Sequence, residues 1–255
     1  MPEPSVKELL ASAGMAFTGT VEAVRATTVP DIPVNDRTVI VGVAETLHAP
    51  EEMQLPSASR VTVQLSADLP PLDVGDQAAF FANGLVYGES LAVTEVGRTG
   101  IEQTAGPVAQ LAGVEMPVTP VQAALAELAV DEVVEHAREA EGIVRGQVTA
   151  LSAAPGSGAP REHDPQYWIA TLAVDLVVKG ELPRPADTGQ AVPVLYANSI
   201  DVRWRESPKP KAGQAGLWLL HATAGPDAEL APFQLLHRID LQPSIQLNLL
   251  RERGI

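Results

Sequence analysis

The chain has 255 residues, enough for one large domain or two of ordinary size, and it has no cysteine, which excludes disulfides, thiolate metal sites and thiol nucleophiles together. Its 32 acidic residues against 17 basic ones give a net charge of −15. That balance argues against nucleic acid, which is held through Lys and Arg on phosphates, and against anionic membrane surfaces.

Only three Trp, three Tyr and four Phe are present, so platforms for stacking unpaired bases are scarce. No apolar run approaches the ~20 residues of a membrane span. The first residues, MPEPSVKELLASAG, carry neither a basic n-region nor a long apolar stretch. A soluble cytoplasmic protein is the expectation; an exported chain after loss of a leader reads the same way.

Residues 5–13 predict a short helix. Ser5 and Glu8 have capping-box spacing, and Val6, Leu9, Leu10 and Ala13 share a face. Residues 16–24 alternate as a first strand, and 25–37 hold the prolines and aspartates of a loop. Further strands are predicted at 38–48, with Gly42 marking a bend, at 60–66, at 77–82 and at 90–96, the last two around an Asn83-Gly84 loop.

Residues 97–118 read as a linker. Thr119-Pro120-Val121-Gln122 is a helix start, with Thr as N-cap, Pro at N1 and Gln at N3; the helix runs to about residue 140 with a break near Val130-Asp131. Strands follow at 142–151, 168–179, 191–196, 215–221 and 233–238. The longest of them, WIATLAVDLVVK, has every even position from Trp168 to Val178 apolar. Residues 244–251 predict a closing helix with Ile245 and Leu249 inward.

These segments recur in order. Gly19 and Val21 match Gly146 and Val148, offset by 127; Val41, Val43, Val61 and Val63 match Leu172, Val174, Val192 and Val194, offset by 131; Gly75 and Phe81 match Gly213 and Leu219, offset by 138. The helix VKELL at residues 6–10 resembles VDEVV at 130–134, while Glu45 falls opposite Leu176, an unexplained mismatch. Two copies are too few for a solenoid, so side-by-side units are expected: residues 1–97, a linker at 98–118, and 119–255. The fold class is mainly β with a few short helices, as two tandem five-stranded OB-like antiparallel barrels; a pair of small β-sandwiches is the rival.

The run Phe17-Thr18-Gly19-Thr20-Val21, the strand ending Val177-Val178-Lys179-Gly180, Val192-Pro193-Val194, and the turns Gly75-Asp76 and Gly213-Gln214 together resemble netrin-like OB domains, the kind found in tissue inhibitors of metalloproteinases. The resemblance implies the barrel. It does not extend to protease inhibition, because the cysteine framework and N-terminal cysteine of those inhibitors are absent.

Residues with chemical potential are scattered. His48, His136, His163, His221 and His237 form no HxH or HExxH arrangement. If Leu219 faces Leu235, then His221 and His237 lie at opposite ends of a hairpin, so no metal and no cofactor are expected. Glu132 and His136 have i, i+4 spacing, which reads as a solvated helical pair. Gly156-Ser157-Gly158 lacks the strand–turn–helix context of a nucleophile elbow, and Glu51-Glu52 and Asp73 with Asp76 lack the ligand spacing of a calcium loop.

The one distinctive stretch is DVRWRESPKPK at residues 201–211. It places Arg203, Arg205, Lys209 and Lys211 around Trp204, where the repeat offset jumps from 131 to 138. Arg and Trp are enriched at binding hot spots, so these five residues are the candidate partner contact. The expected function is a non-catalytic protein-binding or scaffold protein. The alternatives are an enzyme or small-ligand protein with a cleft between the units, using carboxylates and His163 or His221, and a carbohydrate or cell-envelope binder.

Overall fold

The computed structural model describes residues 4–50, 53, 55–86, 91–105, 119–155, 163–182 and 191–255. Glu51-Glu52, Gly156-Ser157-Gly158 and most of the expected linker lie outside the described residues. The chain divides into two compact units, residues 1–129 and 130–255.

The first unit runs α1 (Val6–Ser12), β1 (Met15–Val24), β2 (Thr38–His48), β3 (Arg60–Gln64), β4 (Gln77–Val86) and β5 (Ala92–Thr99). Its strands close into a ring in the order β1-β2-β3-β5-β4. The α1 cap forms as expected: the Glu8 N–H donates to Ser5 Oγ at 3.3 Å, and Glu8 accepts from the Ser5 N–H at 2.7 Å. β4 continues straight through Asn83-Gly84 to Val86 rather than turning there. The Asn83 amide is spent on the helix end, accepting from the Gly14 N–H at 2.7 Å and donating to the Ser12 carbonyl at 3.0 Å.

α2 (Pro120–Glu139) is continuous, with no break near Val130; the boundary between units falls within it. β6 (Gly142–Ala153), β7 (Tyr167–Lys179), β8 (Ala191–Ala197), β9 (Ala215–Ala222) and β10 (Phe233–Leu235) form a second ring in the order β6-β7-β8-β10-β9. β11 (Leu241–Gln242) extends the same edge of β9, and α3 (Gln246–Glu252) follows. In both rings every pairing is antiparallel except that between the third and fifth strands, β3–β5 and β8–β10, which is parallel. Two closed rings of this order are OB-like barrels; neither unit is a sandwich of facing sheets.

The repetition extends to single hydrogen bonds. β1 against β2 shifts register at Ala16/Phe17, Thr18/Gly19 and Val21/Ala23; β6 against β7 shifts at Ile143/Val144, Arg145/Gly146 and Val148/Ala150, each 127 residues later. Such bulges add the twist that a first strand needs in order to pair with two neighbours. Val21 exchanges hydrogen bonds with the turn at Gly75 and Asp76, and Val148 makes the same pair with Gly213 and Gln214, all at 2.8–2.9 Å. Both turn glycines have positive φ, +97° and +80°, a conformation that disfavours side chains.

The barrel interiors conserve volume rather than residue type. Phe17 on β1 stacks on Phe80 of β4 with ring centroids 5.5 Å apart. The second barrel places Val144 opposite Trp218, and the Trp218 indole N–H donates to the Gly146 carbonyl at 3.0 Å. Outside each ring the leading helix covers the first and fourth strands: Leu9 and Leu10 pack with Ala16, Ala79 and Phe81, and Val133 and Val134 with Ile143, Leu217 and Leu219.

α3 belongs to the second unit, and among the described residues the first has no copy of it. It turns Leu247 and Leu250 inward, whereas Ile245, expected inward, precedes the first turn and is 78% exposed, and Leu249 is only partly buried. Leu176 packs against the cluster that α3 completes, so it is apolar where the uncovered Glu45 is exposed.

Gly19 and Gly146 approach the second strand too closely for any side chain. A Cβ on Gly19 would lie 2.7 Å from the Gly42 carbonyl oxygen, and one on Gly146 would lie 2.6 Å from that of Ala173. Gly19→Ala and Gly146→Ala are therefore each expected to destabilise by about 1–3 kcal/mol through overpacking. Denaturant unfolding checks this, and a change below about 0.5 kcal/mol at both positions, the scatter of ordinary surface substitutions, would refute the equivalence of the two glycines.

Candidate functional site

The 198–211 connection of the second unit is held from beneath by polar contacts. Asp201 caps a single 3₁₀ turn, Val202–Trp204, by accepting from the Arg203 N–H at 2.8 Å, and its other oxygen meets His163 Nδ1 at 3.0 Å. The Asp201 pKa is lowered, first by the Arg203 N–H, against an opposing desolvation effect, with His163 adding to the lowering. Trp204 is half-buried and donates its indole N–H to the His163 carbonyl at 2.9 Å. Lys209, though exposed, donates to the Ala197 and Trp204 carbonyls, and partial desolvation of its ammonium lowers its pKa.

Of the five predicted contact residues, Trp204 and Lys209 thus anchor the loop. Arg203 lies over the Trp204 ring at 5.8 Å, Arg205 pairs with Glu206 at 3.2 Å, and Lys211 is exposed. Sequence reasoning misses the two apolar residues beside them: Ile200 is 99% exposed and Val202 is 74% exposed. Their β-branched character suggests core. Only the turn geometry reveals that they point outward.

A second constellation is polar and internal to the second unit. β10 ends at Leu235, and residues 236–240 loop out before β11 rejoins β9. This excursion inserts Asp240, which is fully buried, beneath the end of β9. Asp240 Oδ2 accepts the backbone N–H groups of Leu236 and His237 at 2.6 and 2.8 Å. Its Oδ1 meets His221 Nε2 at 3.1 Å and lies 3.5 Å from His136 Nδ1.

His237 stacks at a tilt on His136, with ring centroids 5.2 Å apart. Its Nδ1 accepts from the Ile239 N–H, so Nε2 carries the proton and faces Glu206 at 3.6 Å. The two histidines expected at opposite ends of a hairpin therefore meet at Asp240, His221 through its ring and His237 through its backbone N–H. The register is one residue from that expected, with His221 opposite Gln234 rather than Phe233, and the looped-out segment brings His237 back.

The hydrogen bond from His221 to Asp240 raises the His221 pKa above its ordinary value against a desolvation penalty, aided by Glu141 and Glu139. Burial alone would raise the Asp240 pKa, but His221 and the two backbone donors outweigh it, and the net direction is downward. His221 thus contributes stability that is complete below its unfolded pKa and lost as pH rises through its raised folded pKa. Asp240 contributes stability present above its unfolded pKa and lost as pH falls through its lowered folded one. The pair is therefore most stabilising between about pH 4 and 6.5.

A shallow depression of about 640 Å³ lies on the outer face of the second barrel, lined by Arg145, Gly146, Asp175 and Gly216 among others. Arg145 and Asp175 pair across it at 3.0 Å, so it presents little net charge. Among the described residues no helix is long and apolar enough to cross a membrane.

Asp240→Ala is expected to cost about 3–5 kcal/mol, because it strands His221 and the N–H groups of Leu236 and His237; a cost under about 1 kcal/mol in denaturant unfolding would contradict the contacts described. With a chelator present, His221→Gln should remove part of the stability decline seen above about pH 6.5. Melting profiles that fall in parallel for both proteins over that range would show that His221 does not titrate against Asp240. No protein-family model matches the chain, and no curated protein matches it in sequence, so the functional reading rests on the geometry of these two constellations.

Proposed function

We propose that this is a non-catalytic protein-binding or scaffold protein, in which a duplicated barrel provides the frame and the 198–211 connection of the second unit provides the contact. The observation that carries this reading is the exposure of Ile200 and Val202 on a turn held by the hydrogen bonds of Asp201 and Trp204. A loop pinned by Asp201, Trp204 and Lys209 loses little conformational freedom on binding, so the area it buries converts efficiently into affinity.

Arg203, Arg205 and Lys211 lie exposed on the same connection as the apolar pair, on a chain of net charge −15. That arrangement suits a partner protein with carboxylates around an apolar centre, since charge complementarity governs encounter and orientation. The residues behind the netrin-like resemblance also have structural roles: Gly19 at the close strand approach, and Gly75-Asp76 and Gly213-Gln214 at the turns. These roles support our assignment of the barrels to that type of OB fold.

The double variant Ile200→Asp, Val202→Asp should leave the melting temperature unchanged. It should weaken the complex with the partner, captured from the host and then purified, by about 2 kcal/mol or more, roughly thirtyfold. Titration calorimetry with that purified partner is the measurement. Wild-type affinity in the double variant, together with an Arg203→Ala, Arg205→Ala variant that also binds normally, would rule out this surface.

A further inference from the structure

We propose that the second unit holds a divalent transition-metal ion of the zinc class, ligated by His136 Nδ1, His221 Nε2 and Asp240 Oδ1. The three donor atoms come from α2, β9 and the segment that interrupts the fifth strand, and all lie within 4.8 Å of one another. Two of the separations are 3.1 and 3.5 Å. Metal bonds of about 2.0–2.2 Å in a tetrahedral site place donors roughly 3–4 Å apart, so closing these three around an ion needs only side-chain adjustment.

The carboxylate is already oriented for the task. Two backbone N–H groups hold Oδ2, leaving Oδ1 directed at both imidazoles. Such outer hydrogen bonds commonly fix metal-binding side chains.

His136 Nδ1 supplies an independent observation. It is sealed from solvent and makes no hydrogen bond, despite its proximity to Asp240. A buried nitrogen without a partner calls for one, and a bound ion is a recognised answer. Two imidazole nitrogens and one carboxylate oxygen favour zinc and its neighbours over calcium or magnesium, which take oxygen ligands. Three protein ligands leave a fourth position for water, and the His136 and His221 side chains are 26% and 12% exposed.

The first barrel argues that this cluster is no requirement of the fold. The ladder position of His221 is held there by Asn83, and the helix position of His136 by Ser12. Between the matched pairs Thr94–Asn83 and Arg98–Phe80 the first unit advances four residues; between Gln234–His221 and Leu241–Trp218 the second advances seven. The three extra residues build the excursion that carries Asp240. One copy closes the same barrel without any of the three ligands.

The test is calorimetric titration of the chelator-treated full chain with Zn(II), with Co(II) absorption as a probe of geometry. The expected result is one equivalent per chain, a raised melting temperature, and visible Co(II) bands of a low-coordinate site. His136→Ala and His221→Ala should each weaken binding by at least the roughly 10–100-fold lost with an outer-shell partner, whereas His163→Ala should leave it unchanged. Because Asp240→Ala could fail to fold, the two histidine variants are the decisive ones. Absence of saturable binding by the wild-type chain, or equal affinity in the His136→Ala, His221→Ala double variant, would overturn the proposal.

Discussion

Each barrel depends on one strand hydrogen-bonding along both edges while it coils. β1 and β6 meet this demand with three register shifts apiece and a glycine at the point where the neighbouring backbone comes nearest. With the first strand bent, the fourth can reach its far edge, the third and fifth can lie parallel, and the ring has no free edge to protect. The leading helix then finds a surface of consistent shape, which is why Leu9 and Leu10 are answered by Val133 and Val134.

Much of this is legible in the residues themselves. Alternation locates the long strands, and the matched glycines and valines reveal the copying, because a close approach and a turn at positive φ constrain residue type wherever they occur. What escapes a reading of the sequence is set by contacts distant along the chain. Glu45 and Leu176 disagree because Leu176 packs against an outer apolar cluster whereas Glu45 is exposed. Ile245 has the composition of a core residue but falls just before the helix it is expected to enter, so Leu247 and Leu250 take the inward face. Nothing near His237 in the sequence signals that β10 stops after three residues, and the partnership of Asp240 with His136 and His221 follows only from that interruption.

Seen as a pair, the copies separate what the barrel needs from what was added to it. Interior volume, bulges and turns are common to both, and residue identity is free to drift, as Phe17 with Phe80 against Val144 with Trp218 makes clear. Among the described residues the departures are concentrated in the second unit: a longer third connection with two apolar residues held in solvent, an interrupted fifth strand with a buried acid, and a closing helix. The first unit has its own buried charge, Glu95, which accepts from Arg98 and from the Ser66 N–H at 2.8 Å each, and this pair ties strand to loop within a single copy.

The exchange of aromatic residues between the two interiors also determines how the molecule can be watched. Trp168, Trp204 and Trp218 all belong to the second unit, and only Trp218 is wholly enclosed. Intrinsic indole emission therefore reports one half of the chain and is blind to the other, whose melting registers only in backbone dichroism. Disagreement between those two signals would separate the unfolding of the halves without any label.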